Sequence, residues 1–455
     1  MAHVLDSSSV NFTIDPVVLD LGQRFVDAGF ELSLVGGPVR DLFLGRTSPD
    51  LDFTTDATPD QTISVIKKWA DNFWEIGRAF GNSLTDDLLR RDFTINAMAL
   101  RLPSLELVDP FGGVRDLHAS ELSTPGAPEA SFSDDPLRMM RAARFASQLG
   151  VSVHDDVRHA MTHMAERIKI ISAERVRDEL VKLINGAHPR VGVDLLVDTG
   201  LAEFVLPEVS ALRLESDEHH RHKDVYQHSL QVLEQAAALE TDPDGAVPGP
   251  DFVLRFAALM HDVGKPATRR FEPGGAVSFR HHDVVGAKLT AKRMKALRFD
   301  NDTIKAVARL VELHMRFYGY GDAGWTDSAV RRYVTDAGPH LERLHRLTRS
   351  DVTTRNQRKA DRLAFAYDDL EQRIAALLEQ ESLAAIRPDL DGAQIMALLG
   401  LKPGPVVGRA YKFLLEERME HGPLAPEEAE SKLLAWWQEQ PESAVVEPST
   451  ETEES

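Results

Sequence analysis

The stretch LVGGPVRDLFLGRTSPDLDFTTD, residues 34 to 56, constrains this chain more than any other. A short apolar run ends in Gly36-Gly37, a helical stretch led by Arg40-Asp41 follows, and a second apolar run carries Asp50 and Asp52. That order predicts strand, glycine turn, helix, strand. Side chains alternate across a strand, so carboxylates two apart project to one side. There they can hold hard divalent cations such as Mg²⁺, and paired metals can clamp the attacking and leaving oxygens of a phosphoryl transfer. Without side chains, the twin glycines let backbone N–H groups approach a triphosphate. Acid pairs also occur in turns and on solvated strands; the Gly-Gly turn upstream gives this pair its meaning.

Two later blocks carry related chemistry. In Arg90-Arg91-Asp92-Phe93-Thr94-Ile95-Asn96-Ala97-Met98-Ala99, guanidiniums can hold phosphate oxygens while Asp92 and Asn96 bond sugar hydroxyls. A helix start capped by Asp or Thr would use the same residues. In Asp134-Asp135-Pro136-Leu137-Arg138, a proline and acids open an amphipathic helix continuing through Met140, Arg141, Arg144 and Phe145. Asp135 and Arg138, three apart, are expected on one helix face. A carboxylate accepts from the exocyclic amine of cytosine or adenine, and a guanidinium donates to the adjacent ring nitrogen, so one fixed pair accepts C and A and rejects U and G.

These three blocks, in this order, resemble the signatures of class II nucleotidyltransferases of the polymerase-β-like superfamily, which includes CCA-adding enzymes and bacterial poly(A) polymerases. The resemblance implies that Asp50 and Asp52 are catalytic and carry Mg²⁺. It gives Gly36, Gly37 and Arg40 to the triphosphate, Arg91, Asp92 and Asn96 to the ribose and nearby phosphates, and Asp135 and Arg138 to base choice. Ser172 to Leu180 resembles the family's segment that supports the base-choosing helix. One departure stands out: the family's insert between the equivalents of Gly77 and Phe80, with a further acidic residue and a mobile loop, is missing. Either Asp86 or Asp87 substitutes, or two carboxylates suffice, or the head is weakened.

From about residue 219 a second constellation begins. His228 lies on a predicted helix, His261-Asp262 follows the apolar helix FVLRFAALM, Gly264-Lys265-Pro266 ends it, and His281-His282-Asp283, His314 and Asp351 come later. This pattern resembles the HD phosphohydrolase domain. The resemblance implies metal ligation by His228, His261, Asp262 and Asp351, with His282 and His314 completing a second metal site. Imidazoles with carboxylates suit Mn²⁺, Fe²⁺, Ni²⁺ or Zn²⁺. A water activated there can attack a phosphomonoester or a 2′,3′-cyclic phosphate, with Lys265 near the phosphate.

At 455 residues the chain is too long for one ordinary core. An α+β architecture is expected: a small mixed-sheet head over 15–118, an all-α neck over 119–212, an α-helical HD domain over 219–360, a helical tRNA-binding region over 361–438, and a disordered acidic tail over 439–455. Residues 119 to 133 read as a polar loop. The 72 acidic against 52 basic residues, net −20, argue against a DNA coat or a membrane-surface protein. With no cysteine there is neither a disulfide framework nor a thiolate zinc site, and with no leader or long apolar run a cytoplasmic location is expected.

The resemblance, spanning residue 17 to about 438, implies a tRNA nucleotidyltransferase that adds CCA from CTP and ATP, with hydrolase activity in the HD domain. Three rivals share parts of the pattern: a poly(A) or partial-CCA polymerase, an HD hydrolase on an inactive head, and an RNA-binding scaffold without turnover. The oligomeric state is left open.

Overall fold

The computed structural model describes residues 14–48, 50–67, 69–70, 83–213, 224–273, 277–318, 320, 325–354, 356–381 and 387–445. Gly77 and Phe80, which flank the expected insert, lie outside them, as do residues 219–223 and 446–455. Helix α1 (Pro16–Asp27) starts where the Asp15 carboxylate accepts the Val17 N–H and proline takes the first position. It lays Val18, Leu21 and Phe25 on a four-stranded sheet, β2-β1-β3-β4, built from β1 (Leu32–Val35), β2 (Asp52–Thr55), β3 (Ala99–Leu102) and β4 (Leu107–Val108). All four residues of β1, the central strand, are buried, as its apolar run requires.

The sequence predicts a mixed sheet, but all three pairings are antiparallel. Helix α2 (Gly37–Phe43) and the loop behind it double the chain back beside β1. Helices α3 (Pro59–Ile66) and α4 (Leu84–Leu89) precede β3. The Arg90–Ala99 block does not start a helix: Thr94–Asn96 form one 3₁₀ turn before β3.

After α5 (Gly113–Ala119) the chain is mainly helical. The expected loop over 119–133 holds β5 (Glu121–Leu122) and α6 (Pro128–Asp134), whose Phe132 is fully buried. One burial of that size is worth about 2 kcal/mol or more, enough to anchor a seven-residue helix. Next come α7 (Leu137–Leu149), β6 (Ser152–Val153) parallel to β5, α8 (Asp155–Met164), α9 (Ala173–Ile184), α10 (Pro189–Asp198), α11 (Ala202–Val205) and α12 (Pro207–Ser210).

The third region comprises α13 (Val225–Ala238), α14 (Phe252–Met260), α15 (Lys265–Thr268), α16 (His282–Ala296), α17 (Asn301–Leu313), α18 (Asp327–Ala337) and α19 (Leu341–Ser350). Helix α14 is apolar nearly all round and correspondingly buried. Its one charged residue, Arg255, is paired with Glu240 and donates to the carbonyls of Ile184 and Gly186 at the end of α9, so this region is tied to the neck.

Helix α20 (Gln357–Glu381) buries Tyr367, Leu370, Ile374 and Leu377 in the same core as the neck and HD helices. The boundary expected at residue 360 therefore falls inside a helix that the HD core holds. Helices α21 (Gly392–Leu399), α22 (Pro405–His421) and α23 (Pro426–Gln438) share a separate small core with Leu390, Ile395, Leu414, Leu433 and Trp437. No helix among the described residues is long and apolar enough to cross a membrane.

Candidate functional site: two clefts of different construction

A cleft of about 650 Å³ lies between the sheet and α7. Gly36, Gly37, Arg40, Asp50, Asp52, Arg91, Asp92, Asn96, Asp135 and Arg138 all line it, so the ten residues expected to serve metal, nucleotide and base meet at one place. Asp86 and Asp87, the two candidates for a substitute acid, are not among its lining residues: Asp86 accepts from the Ser83 hydroxyl and Asp87 pairs with Arg91. Six cationic side chains face four carboxylates, which makes the cleft locally positive in a strongly acidic chain. Asp52 is the first residue of β2 and Asp50 sits in the bend before it; both are exposed. Neither carboxylate has a hydrogen-bond or ion-pair partner among the described residues. Two free carboxylates at a cleft mouth suit Mg²⁺, which commonly takes one or two protein carboxylates and fills its shell with water and substrate phosphate.

Gly36 cannot carry a side chain here. Its φ of 77° lies in the left-handed half of the map, and a Cβ would come within 2.7 Å of Arg91 Nη1. Its N–H is taken by the Met98 carbonyl, leaving Gly37 as the glycine that opens α2 toward the cleft. Arg40 donates to Asn96 Oδ1 at 2.8 Å and to Asp41. Asn96 in turn donates to Asp92, which also accepts from Arg141 Nε at 2.7 Å. Burial alone would raise the Asp92 carboxyl; the Arg141 charge, with hydrogen bonds from Asn96 and the Phe93 amide, outweighs it and holds the group below the usual carboxylate range.

Asp135 is not on the helix with Arg138, as the spacing predicts, but immediately before it. Pro136 is the N-cap, and Asp135 accepts the Leu137 N–H through one oxygen and Arg175 Nη2 through the other. Arg138 donates to Ser131 Oγ and to the Arg90 carbonyl. Arg175 comes from α9, whose Glu179 also pairs with the buried Arg144, so the Ser172–Leu180 segment does brace the helix in front of it. Sequence reasoning missed Arg141, Arg144, Phe145, Gln148 and Lys182 as cleft residues. The spacing of Arg138, Arg141 and Arg144 by threes was the available signal, and the three guanidiniums of Arg40, Arg141 and Arg144 surround the Phe145 ring at 4.2 to 5.8 Å.

The second cleft, of about 460 Å³, is built from helix ends. His261, His314 and Asp351 cap the C-termini of α14, α17 and α19, His282 opens α16, and His228 projects from α13. Gly264 lets these ends meet, because a Cβ there would lie 2.0 Å from the His282 carbonyl. His228 Nε2 is 2.9 Å from Asp351 and 3.7 Å from Asp262, His261 Nε2 is 3.2 Å from Asp262, and His282 Nε2 is 3.4 Å from the other Asp262 oxygen. His282 and His314 approach Nε2 to Nε2 at 3.3 Å.

On the opposite ring edge, each Nδ1 has a fixed partner: the carbonyls of Ala258, Phe279 and Val311 for His261, His282 and His314, and the Thr353 hydroxyl for His228. The three carbonyls can only accept, so they leave the Nε2 lone pairs of His261, His282 and His314 facing inward, as metal-ligating histidines require, and His228 turns its Nε2 to the same centre. The residues fit a divalent metal: buried His261 Nε2 has no hydrogen-bond partner, and two ligand groups, His228-His261-Asp262 and Asp262-His282-His314, share Asp262. Burial and the neighbouring His261 push His314 down to about 4, keeping that imidazole neutral. Burial would lower His261 too, but the Asp262 carboxylate wins and raises it, the field a cation would feel. Lys265 Nζ lies 2.6 Å from Asp262.

Comparisons with known proteins agree with this division. The Poly A polymerase head domain family matches residues 32–83 and 77–123, two stretches that overlap where the insert is missing. The probable RNA and SrmB-binding site of polymerase A matches 150–212, and the HD domain matches 225–371. The A-adding tRNA nucleotidyltransferase of Deinococcus radiodurans is 34% identical over 438 residues, 90% of this chain and 96% of the relative. The CC-adding tRNA nucleotidyltransferase of Thermus thermophilus is 31% identical over 429 residues, 88% and 93% of the two chains. In fold, the chain is similar to a Bacillus stearothermophilus CCA-adding enzyme solved with CTP (TM-score 0.66, 21% identity, 93% and 98% coverage). It is also similar to a Thermotoga maritima CCA-adding enzyme solved with tRNA (TM-score 0.60, 17% identity, 96% and 100% coverage). Similar along nearly its whole length to relatives more than 30% identical, the chain belongs to the tRNA nucleotidyltransferases that join a poly(A) polymerase-type head to an HD domain.

Proposed function

We propose that this protein adds CCA to tRNA 3′ ends from CTP and ATP in the head cleft, and hydrolyses phosphoesters in the HD cleft. The observation that carries the first part is the convergence of ten expected residues, from strand, turn and helix, on one positive cleft with two unpartnered carboxylates. The RNA 3′-hydroxyl oxygen bonds to the α-phosphorus, the α–β bridging bond breaks, pyrophosphate leaves, and the hydroxyl proton goes to solvent. Mg²⁺ at Asp50 and Asp52 would supply charge neutralisation for the reacting oxygens. Gly36, Gly37 and Arg40 hold the triphosphate, and Arg91, Asp92 and Asn96 the ribose and nearby phosphates. Asp135 and Arg138 choose the base, already oriented by Arg175, Ser131 and the Arg90 carbonyl. Such catalysis is chiefly positioning and electrostatics.

The HD cleft would hold Mn²⁺, Fe²⁺, Ni²⁺ or Zn²⁺ on His228, His261, Asp262 and Asp351, with His282 and His314 completing a second position, and the metal would supply an activated water. The small core of residues 390–437 is assigned to tRNA contact through shape and phosphates. A second reading, addition of only C or only A, is favoured by the names of the two relatives that match over most of the chain. The test is incubation of protein and Mg²⁺ with tRNA lacking its 3′ CCA, supplying labelled CTP, ATP or both. Two C additions followed by one A are expected. C alone or A alone would select the second reading, and no incorporation by folded protein would overturn the head assignment.

A further inference from the structure

The HD cleft contains more than a metal centre. Its wall includes Lys359 and Arg362 from α20, beyond the helices that carry the ligands, and Tyr318 at its rim. Lys359 and Arg362 lie three apart in the first turns of α20 and so project side by side. Both are exposed, and neither side chain has a hydrogen-bond or ion-pair partner among the described residues. Arg349, Arg346 and Arg373 nearby are instead held in ion pairs. Helix α20 is held rigidly behind them: the Tyr367 ring stacks on Phe317 at 3.7 Å, and its hydroxyl donates to the Thr348 carbonyl. Tyr318 is 65% exposed, yet its hydroxyl reaches Asp351 Oδ2 at 3.4 Å, so its ring spans from the metal ligands to solvent.

We propose that α20 turns this cleft into a site for the phosphorylated 3′ end of an RNA strand rather than for a single phosphate. This rests on the hydrolase reading of the HD cleft. The terminal phosphate lies at the ligand cluster beside Lys265, the terminal base stacks on Tyr318, and Lys359 with Arg362 hold the next phosphate back along the strand. Each component answers a different part of such a ligand. A free aromatic face binds any base, and paired cations bind backbone phosphate without reading sequence. A mononucleotide has nothing to offer the α20 cations, so they matter only for a ligand of two or more nucleotides.

The test compares hydrolysis of the 2′,3′-cyclic phosphate on a dinucleotide and on a mononucleotide, with Mn²⁺ and full-length protein carrying Asp50→Asn and Asp52→Asn to silence the head. Water's oxygen bonds to phosphorus, one ring P–O bond breaks, and the released sugar oxygen takes the proton, leaving a monoester. The dinucleotide is expected to have the higher kcat/KM. Lys359→Ala with Arg362→Ala should lower the dinucleotide-to-mononucleotide ratio on the order of tenfold, through KM, as loss of charged hydrogen bonds does. Lys359→Arg with Arg362→Lys should restore most of it. An unchanged ratio in the alanine variant would overturn the proposal. If neither substrate is cleaved, the hydrolase reading fails, and calorimetric binding of a dinucleotide 3′-phosphate decides this one. Weaker binding in the alanine variant supports it, and equal binding overturns it.

Discussion

The two clefts present their candidate cation ligands in opposite ways. In the head, Asp50 and Asp52 stand exposed at an open mouth with no group among the described residues fixing them, while the arginines around them are tied into a mesh through Asp92 and Asn96. In the HD cleft every imidazole is buried or nearly so and locked by its Nδ1 partner, and one carboxylate is shared by both ligand groups. The difference fits the proposed use of each cleft. A metal that arrives with a triphosphate and leaves with pyrophosphate needs only a partial protein shell, whereas a resident metal needs a preformed cage. The head invests its rigidity in orienting the nucleotide, and the HD cleft invests it in the ligands.

That contrast can be broken at several points. The largest effect should come from Asp52→Ala, which should cut incorporation on the order of 10³-fold, about 4 kcal/mol of barrier, in single-turnover assays. His261→Ala should reduce HD metal affinity by more than the roughly 10- to 100-fold that losing a ligand's hydrogen-bond partner costs, in metal-content and competition measurements, with incorporation retained. Asp135→Ala should lose discrimination against UTP and GTP by about 1–3 kcal/mol, read as the ratio of incorporation rates, without changing metal binding. Gly36→Ala should lower thermal stability by about 1–3 kcal/mol because of its φ and the Arg91 contact, and alanine at the unstrained, open Gly392 should not. The smallest effect should appear in acid. Asp92 titrates below its unfolded value, so its pairing with Arg141 stabilises the fold fully above the usual carboxylate range and is lost as pH falls through the lowered value. An acid-unfolding series should therefore be shallower in Asp92→Asn than in the parent; identical slopes would deny the pair its role.

What could be read in advance was chemistry of unusual residue types at short range. Gly36-Gly37, the Asp50/Asp52 pair and the His261-Asp262 doublet each announce themselves within a few residues; the structure puts the first two in the wall of one cleft and Asp262 in the wall of the other, with His261 buried beside it. What could not be read was whatever depends on a second element. Arg175 holding Asp135 crosses 40 residues, and Glu179 pairing with Arg144 crosses 35. The Asp135–Pro136 break was hidden because proline and acids suit both a helix start and the residues just before one. Lys359 and Arg362 sit in a charged helical run that reads as a solvated face, and the packing of Tyr367 against Phe317 turns that face toward the His/Asp cluster. The all-antiparallel sheet escaped because strand order is set by how α2 returns the chain, not by the strands' own residues.

The most direct test is a crossed assay of Asp52→Ala and His261→Ala, each measured in one preparation for nucleotide incorporation into tRNA lacking CCA and for metal-dependent cyclic phosphate hydrolysis. The account predicts that Asp52→Ala loses incorporation and keeps hydrolysis, while His261→Ala does the reverse. Loss of both activities in either folded variant would contradict two separately built sites.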